Sequence, residues 1–565
     1  MTAILQGQKS IIPLSWGIYS VLVIVRIFVG PFLPGYVHPD EFFQGGQELW
    51  FGCPPFVPWE FEPENPIRSI LPPTLITWLP LRIYSFLVGR PMGRLSSTEV
   101  LVLPRMVCAL FSVLAVDWSL WSITKESNTR GVPLPVLLSA SAWPSLVLFS
   151  RPFSNTLESF CLALLMRMIL QKSFNTINCM AIGVVCALGL FTRFTFCFFA
   201  FPAVVVFLHQ MLQVLGLTAT IPMIILTGLS FLAVSIGVVY EDTTFFASQR
   251  EIDTQNDPSI VLTPWNALSY NSKVSNLKEH GLHPRWTHTL VNMFLLYGPM
   301  TLIFYISLLS TKAILLPRKE LQLDSKIAIV SRWVILFGLG LLSIAPHQEP
   351  RFLLPLITPL VLAVAKNIPY TRAACGIWIL FNAALLAFFG ILHQAGVVKS
   401  LLAVGSTLSH RQPTSIIYFH TYMPPSFLSR LSQKSTCPIS SEDLMICQQG
   451  DEDHYGGVCR DIPIVDLKGS SVENLRDTLH ELLECSIDHS SGKGYIHLIT
   501  PPSMETIDGR RWSLSGNDCE IPGYKCAILW SYSPHLTTED PPSFDGSLLT
   551  FYQGMNLNIY EITCL

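Results

Sequence analysis

The chain has 565 residues, of which 50% are hydrophobic and only 13% charged, with a formal net charge of −3 and a mean hydropathy of +0.44. Soluble domains carry about 25% charged residues, so half that share over such a length describes an all-α polytopic membrane protein. The balance of charge leaves no basic footprint and excludes nucleic acid as an expected partner.

In chain order, residues 11–33 form the first apolar run. It is too long for a cleavable signal and lacks a small-residue cleavage site, so it reads as a signal anchor. Residues 34–68 are a polar loop rich in proline and aromatics, carrying Tyr36-Val37-His38-Pro39-Asp40-Glu41-Phe42-Phe43-Gln44, then Gln47-Glu48-Leu49-Trp50 and Trp59-Glu60-Phe61. After a second run at about 69–88 come Arg90, Arg94 and Arg105, which the positive-inside rule places on the cytoplasmic side, opposite the acidic loop. Further runs at 100–121, 132–149, 156–169, 178–200, 201–217 and 221–240 make eight. Basic clusters at alternate later connections (Lys312, Arg318, Lys319 and Lys326, then Lys366 and Arg372) put the long loop 241–288, the island 347–351 and the tail on the lumenal side. Parity then demands an odd number of earlier crossings, so one segment is expected to be re-entrant or merged, within 178–217 or around 151–158.

The spanning region is expected to cover 1–405 and a small lumenal α/β domain 406–565, with a helix at 472–483 and strands at 495–500 and 526–532. Seven of the fourteen cysteines (Cys53, Cys108, Cys161, Cys179, Cys186, Cys197 and Cys375) fall in the spanning region and read as packing residues. The other seven (Cys437, Cys447, Cys459, Cys485, Cys519, Cys526 and Cys564) crowd the tail, a density that suits an oxidising compartment. None has zinc spacing, and no phosphate-cradling glycine motif precedes a helix, so an enzyme here needs a donor reached from the bilayer. No glycosylation sequon occurs.

Three polar sets carry chemistry. Asp40 and Glu41, beside His38 at the rim of a membrane helix, form a carboxylate pair suited to taking a proton from a hydroxyl; Asp40 could equally cap the next helix. In His347-Gln348-Glu349-Pro350-Arg351-Phe352, Arg351 offers a bidentate fork to a phosphate and His347 a further donor, against a plain anchoring role at the headgroups. The loop containing Trp265, Asn266, Tyr270, His280, His283, Arg285, Trp286 and His288 offers stacking rings, hydrogen-bonding groups and a second phosphate candidate in Arg285, or simply interfacial anchors. In Arg151-Pro152-Phe153-Ser154-Asn155-Thr156-Leu157-Glu158, Ser154 or Asn155 reads as a helix cap.

At these residues the chain resembles the dolichyl-phosphate-mannose-dependent α-mannosyltransferases of glycosyltransferase family 22, in the PIG-Z type branch that adds a fourth mannose. The resemblance rests on the segment from His38 to Gln44, Trp59-Glu60-Phe61, the segment from Arg151 to Glu158, His280-Gly281-Leu282-His283-Pro284-Arg285, the segment from His347 to Phe352, and His420-Thr421-Tyr422-Met423-Pro424-Pro425. It implies a GT-C membrane fold, an ER location with a lumenal site, and no cofactor beyond dolichyl-phosphate-mannose as lipid-linked co-substrate. The implied acceptor is the third mannose of a glycosylphosphatidylinositol (GPI) precursor, extended through an inverting α-1,2 linkage. Asp40 is then the base, and Glu41 and His38 place the acceptor. Arg351, His347 and Arg285 meet the departing phosphate, and Gln44, Trp59, Asn266, Tyr270, His283 and Glu349 complete the substrate set. Gln348 and Pro350 depart from the residues that sister enzymes carry around Glu349. Enzymes adding the third GPI mannose or the N-glycan precursor arms are the near alternatives. A lipid transporter or scramblase would instead show repeat symmetry, which is not found.

Overall fold

The computed structural model describes the chain except residues 1–14, 53–56, 126–130, 172, 250–259, 279–280, 310–322, 370, 409–412, 430–461, 484–493, 508–509, 516–517, 539–540, 543–550 and 553. His280, Cys53, Lys312, Arg318, Lys319, Cys437, Cys447, Cys459 and Cys485 therefore lie outside the described residues. Two compact units emerge. The first comprises Met1–Pro31, Pro58–Ile76 and Pro104–Ala384; the second comprises Phe32–Val57, Thr77–Leu103 and Leu385–Leu565.

Five helices among the described residues are long and apolar enough to cross a membrane: Ser15–Phe32, Ser97–Thr124, Phe196–Ser248, Lys326–Ile344 and Arg372–Leu392. The first, third and fifth keep most of their apolar side chains on the surface, with Phe28, Ile236 and Leu380 more than half exposed. Hydrocarbon is the solvent that rewards such a surface. Where charge enters a span it is paired: Arg26 reaches Asp117 at 3.1 Å and Ser112 at 3.1 Å, both partners fully enclosed. Removing either member would leave the other stranded at a cost of about 3–5 kcal/mol.

One of the two places singled out for an irregular crossing is irregular. Trp143–Ser150 and Ser154–Leu170 meet at a 117° bend across Arg151-Pro152-Phe153, a broken span or a re-entrant loop. Residues 201–217 and 221–240, read as two runs, lie within Phe196–Ser248, where Gly216 (φ 73, ψ 173) interrupts the helical backbone. The run expected over 178–200 is divided differently as well. A helix ends at Thr192, the next begins at Phe196, and Arg193 sits in extended backbone between them. Gly183 lets these two helices touch, since a Cβ there would stand 2.1 Å from Ser230 Oγ and 2.2 Å from the Thr227 carbonyl. The run at 69–88 is helical over Leu71–Val88 but carries Pro72, Pro73, Pro80 and Arg82 and is not among the five long apolar spans.

The second unit is built on a five-stranded sheet, with a separate three-stranded sheet beside it in sequence. In chain order the strands are β1 Ser415–Tyr418, β2 Ile464–Asp466, β3 Ile496–Thr500, β4 Ser503–Ile507, β5 Arg510–Ser515, β6 Asp518–Glu520, β7 Tyr524–Tyr532 and β8 Leu557–Cys564. The larger sheet runs β2-β1-β3-β8-β7, parallel in its first three strands and antiparallel thereafter; the smaller runs β4-β5-β6. The helix Val472–Leu483 lays Val472, Leu475, Leu479 and Leu483 into a core with Ile417, Ile496, Leu498, Tyr560 and Ile562. Their 3-4-4 spacing is one helical stripe. The α/β expectation for the tail is met, including the helix and both predicted strands. Cys526 and Cys564 each take part in a disulfide.

Candidate active-site residues

In the second unit, the chain leaves Phe32 extended and is pinned at once. Gly35 N–H donates to the Gly390 carbonyl at 2.8 Å and Tyr36 N–H to that of His393 at 2.9 Å. Gly35 is required there, because a Cβ would stand 2.1 Å from the Phe389 carbonyl oxygen. Pro39 takes the cap position of the short helix Asp40–Phe43, so Asp40 stands inside its first turn rather than capping it. Gln44 Nε2 donates to the Asp40 carboxylate from one turn on. Asp40 N–H donates to His38 Nδ1 at 3.1 Å. The same ring nitrogen lies 3.5 Å from the Asp40 carboxylate. Asp40 is half-buried, whereas Glu41 is fully enclosed. His38, Asp40, Glu41 and Gln44 are thus brought together.

Gly46 (φ 90) turns the chain into a second short helix, Gln47–Phe51. Its Glu48, absent from the sequence-based set, is 2% exposed. It accepts from Ser426 N–H at 3.0 Å, from the Ser426 hydroxyl, and from Phe427 N–H at 3.4 Å. Burial pushes its carboxyl up to about 7, against the pull of those hydrogen bonds from Ser426 and Phe427. A carboxyl raised in the folded state contributes stability that is fully present below its ordinary 4.5 and is lost as pH rises through about 7. Wild-type protein is therefore expected to lose thermal stability relative to Glu48→Gln as pH rises through that window. Parallel melting curves for the two proteins would show that Glu48 titrates normally.

In the first unit the polar segments form a second group. His347 Nδ1 faces the Gly281 carbonyl at 3.0 Å and Nε2 faces Glu349 at 2.8 Å. Two acceptors on one ring call for the doubly protonated form. Burial opposes that charge, but the Glu349 contact and the Gly281 carbonyl outweigh it and raise the pKa above the usual histidine value. Glu349 also pairs with Arg351 Nε, so it is committed to holding two cations in place. Arg351 lies 5.7 Å from the ring centres of both Phe153 and Phe352. His283 takes its place beside His347, ring centres 5.9 Å apart, and its Nδ1 accepts from Gln348 N–H at 3.3 Å.

Arg193, which the sequence reading left inside an apolar run, belongs to this group. Its guanidinium stands 5.0 Å over the Phe352 ring, donates to Ser154 Oγ at 2.9 Å and pairs with the enclosed Glu158 at 3.6 Å. The charges of Arg68, Arg351 and Glu60 also act on it. Arg68 in turn bonds Glu60 at 3.0 Å. Three arginines and His347 gather here with Glu60, Glu158 and Glu349, and guanidinium groups of this kind suit an anion. The Ser154 cap reading is not what forms: Phe153 holds the cap position, and the Ser154 hydroxyl accepts from Arg193.

The third set divides. Trp59 and Tyr270 face each other with ring centres 5.3 Å apart, and Asn266 donates to the Pro66 carbonyl at 3.0 Å, so these three are brought together. Arg285 is exposed and offers its carbonyl to Gln348 at 3.4 Å. Trp265 (66% exposed) and Trp286 (53% exposed) behave as interfacial anchors.

The family model described as the Alg9-like mannosyltransferase family matches residues 17–441. A GPI mannosyltransferase 4 of Aspergillus oryzae is 29% identical, with 92% of this chain and 93% of that protein covered. The Homo sapiens GPI alpha-1,2-mannosyltransferase 4 is 29% identical over 98% of this chain and 94% of its own length. A GPI mannosyltransferase 4 of Schizosaccharomyces pombe is 30% identical over 72% of each. With three quarters of its length matched by that model, this multi-pass membrane protein belongs to the Alg9-like mannosyltransferase family.

Proposed function

We propose that the protein is an inverting α-1,2-mannosyltransferase of the ER membrane that moves mannose from dolichyl-phosphate-mannose to the 2-hydroxyl of the third mannose of a GPI precursor. The observation that carries this reading is likeness over nine-tenths of the chain to proteins named GPI mannosyltransferase 4.

In a single displacement, the acceptor oxygen forms its bond to C1 of the β-linked mannose as the bond from C1 to the phosphate oxygen breaks. The acceptor proton passes to the Asp40 carboxylate, which Gln44 holds in one orientation. Glu41 lies buried beside it, and the half-buried His38 is suited to place the acceptor sugar. The phosphate gains one negative charge as it leaves. Arg351 and Arg193, with His347 held cationic by Glu349, are the groups suited to meet it.

The test is complementation of cells lacking their own fourth-mannose enzyme, read by mass analysis of lipid-linked intermediates. The intact protein is expected to convert accumulated three-mannose GPI lipids to four-mannose species, and Asp40→Asn is expected not to. Rescue of a third-mannose or N-glycan defect, with three-mannose GPI lipids unchanged, would overturn the reading.

A further inference from the structure

The segment His420-Thr421-Tyr422-Met423-Pro424-Pro425 has no part in the chemistry above, yet it is the hub of the second unit. It leaves the end of β1 and is pinned at its first residue. His420, at φ 55, donates its N–H to the Lys468 carbonyl at 2.6 Å, and its Nε2 faces the Ser470 carbonyl at 3.1 Å. From there the chain runs without regular structure to the short helical turn Ser426–Ser429. Along the way it meets the acidic motif repeatedly. The Tyr36 hydroxyl donates to the Met423 carbonyl at 2.9 Å. The Tyr422 ring lies 5.9 Å from that of Tyr36 and 6.4 Å from that of His38. Phe427 stands edge-on to Phe42 at 5.5 Å. Glu48 then closes the strap with its three donors from Ser426 and Phe427.

We propose that the C-terminal α/β region is the mount for a strap, residues 420–429, that aims the acidic motif, and that Glu48 is the positioning residue that locks the two together. Only two residues, Gly45 and Gly46, separate Gln44, the hydrogen-bond partner of Asp40, from the helix carrying Glu48. The Thr77 hydroxyl donates to the Gly45 carbonyl at 2.5 Å and restrains that link, so a shift of the Glu48 helix is expected to reach Gln44 and, through it, the Asp40 carboxylate. The two Glu48 oxygens accept from three converging donors, so one side chain ties the helix to the strap at both Ser426 and Phe427. Misplacing a base by about 1 Å is enough to lose up to ~10²-fold in rate without loss of binding. This inference rests on the reading of Asp40 as the base.

The experiment uses the full-length protein in microsomes or detergent and compares wild type, Glu48→Ala, Ser426→Ala and the double variant, normalised to folded protein. Glu48→Ala is expected to lower kcat about 10-fold with both KM values within twofold, and to speed hydrogen exchange at the amides of residues 41–44 by a similar factor. Ser426→Ala is expected to lower kcat less, and to add nothing once Glu48 is gone. Faster exchange with unchanged kcat, additive effects of the two substitutions, or no change in either readout would each overturn the strap. If wild type transfers no mannose to a GPI lipid while Glu48→Ala still loosens residues 41–44, the proposed reaction falls and the mechanical coupling stands.

Discussion

Asp40→Asn is expected to slow mannose transfer by ~10²–10⁴, the usual worth of a positioned general base, with little change in the KM of either substrate. Asparagine keeps the size of the side chain and can still accept from Gln44, so the surroundings have no reason to rearrange. Proton uptake is what disappears. The loss should therefore fall on kcat and kcat/KM alike, as for an interaction made only in the transition state. Rates within threefold of wild type would remove Asp40 from the role. The same substitution at Glu41, to glutamine, would then show which carboxylate of the pair takes the proton.

The second large effect is expected at Arg193. Removing it alone strands Glu158, which is completely buried, at about 3–5 kcal/mol, so Arg193→Leu should accumulate poorly. Removing both charges by Arg193→Leu with Glu158→Leu replaces an enclosed pair by apolar groups, a change that is often neutral for folding. The double variant should therefore recover its cellular level while transfer stays down by ~10²–10³, the scale on which a fixed donor to developing charge is worth keeping. Recovery of both abundance and rate would reduce Arg193 to a structural strut. Arg351→Gln makes a useful comparison, since Glu349 would keep His347 as its partner.

Much of the second-unit site was legible because its residues are neighbours in sequence. His38, Asp40 and Gln44 act across one turn of chain, and the polar break after an apolar run marks them. The tail helix was equally plain, since its four buried aliphatics follow one helical stripe. The arginine cluster was not legible. Arg193 and Glu158 are drawn from two apolar runs, and a lone charge in such a run reads as an interruption until the bend at residues 151–153 and the break at residues 193–195 are known. Glu48 posed a harder problem. It looks like one more acid in an acidic loop, and its partner lies 378 positions away. The ring-rich third loop was misleading in part, because tryptophans that face lipid and tryptophans that face sugar have the same composition.

That the second unit is gathered from Phe32–Val57, Thr77–Leu103 and Leu385–Leu565 has a consequence for biosynthesis. The loop bearing Asp40 is among the first parts of the chain to leave the ribosome, and Ser426 is among the last. With 378 positions between Glu48 and Ser426 and translation at about 5–20 residues per second, the interval is on the order of 20–75 s. Throughout that time the nascent protein has Asp40 with its Gln44 partner but not the proposed strap. A message truncated between the codons for residues 392 and 426 would yield a product that keeps all five long apolar helices of the described residues and lacks the proposed strap.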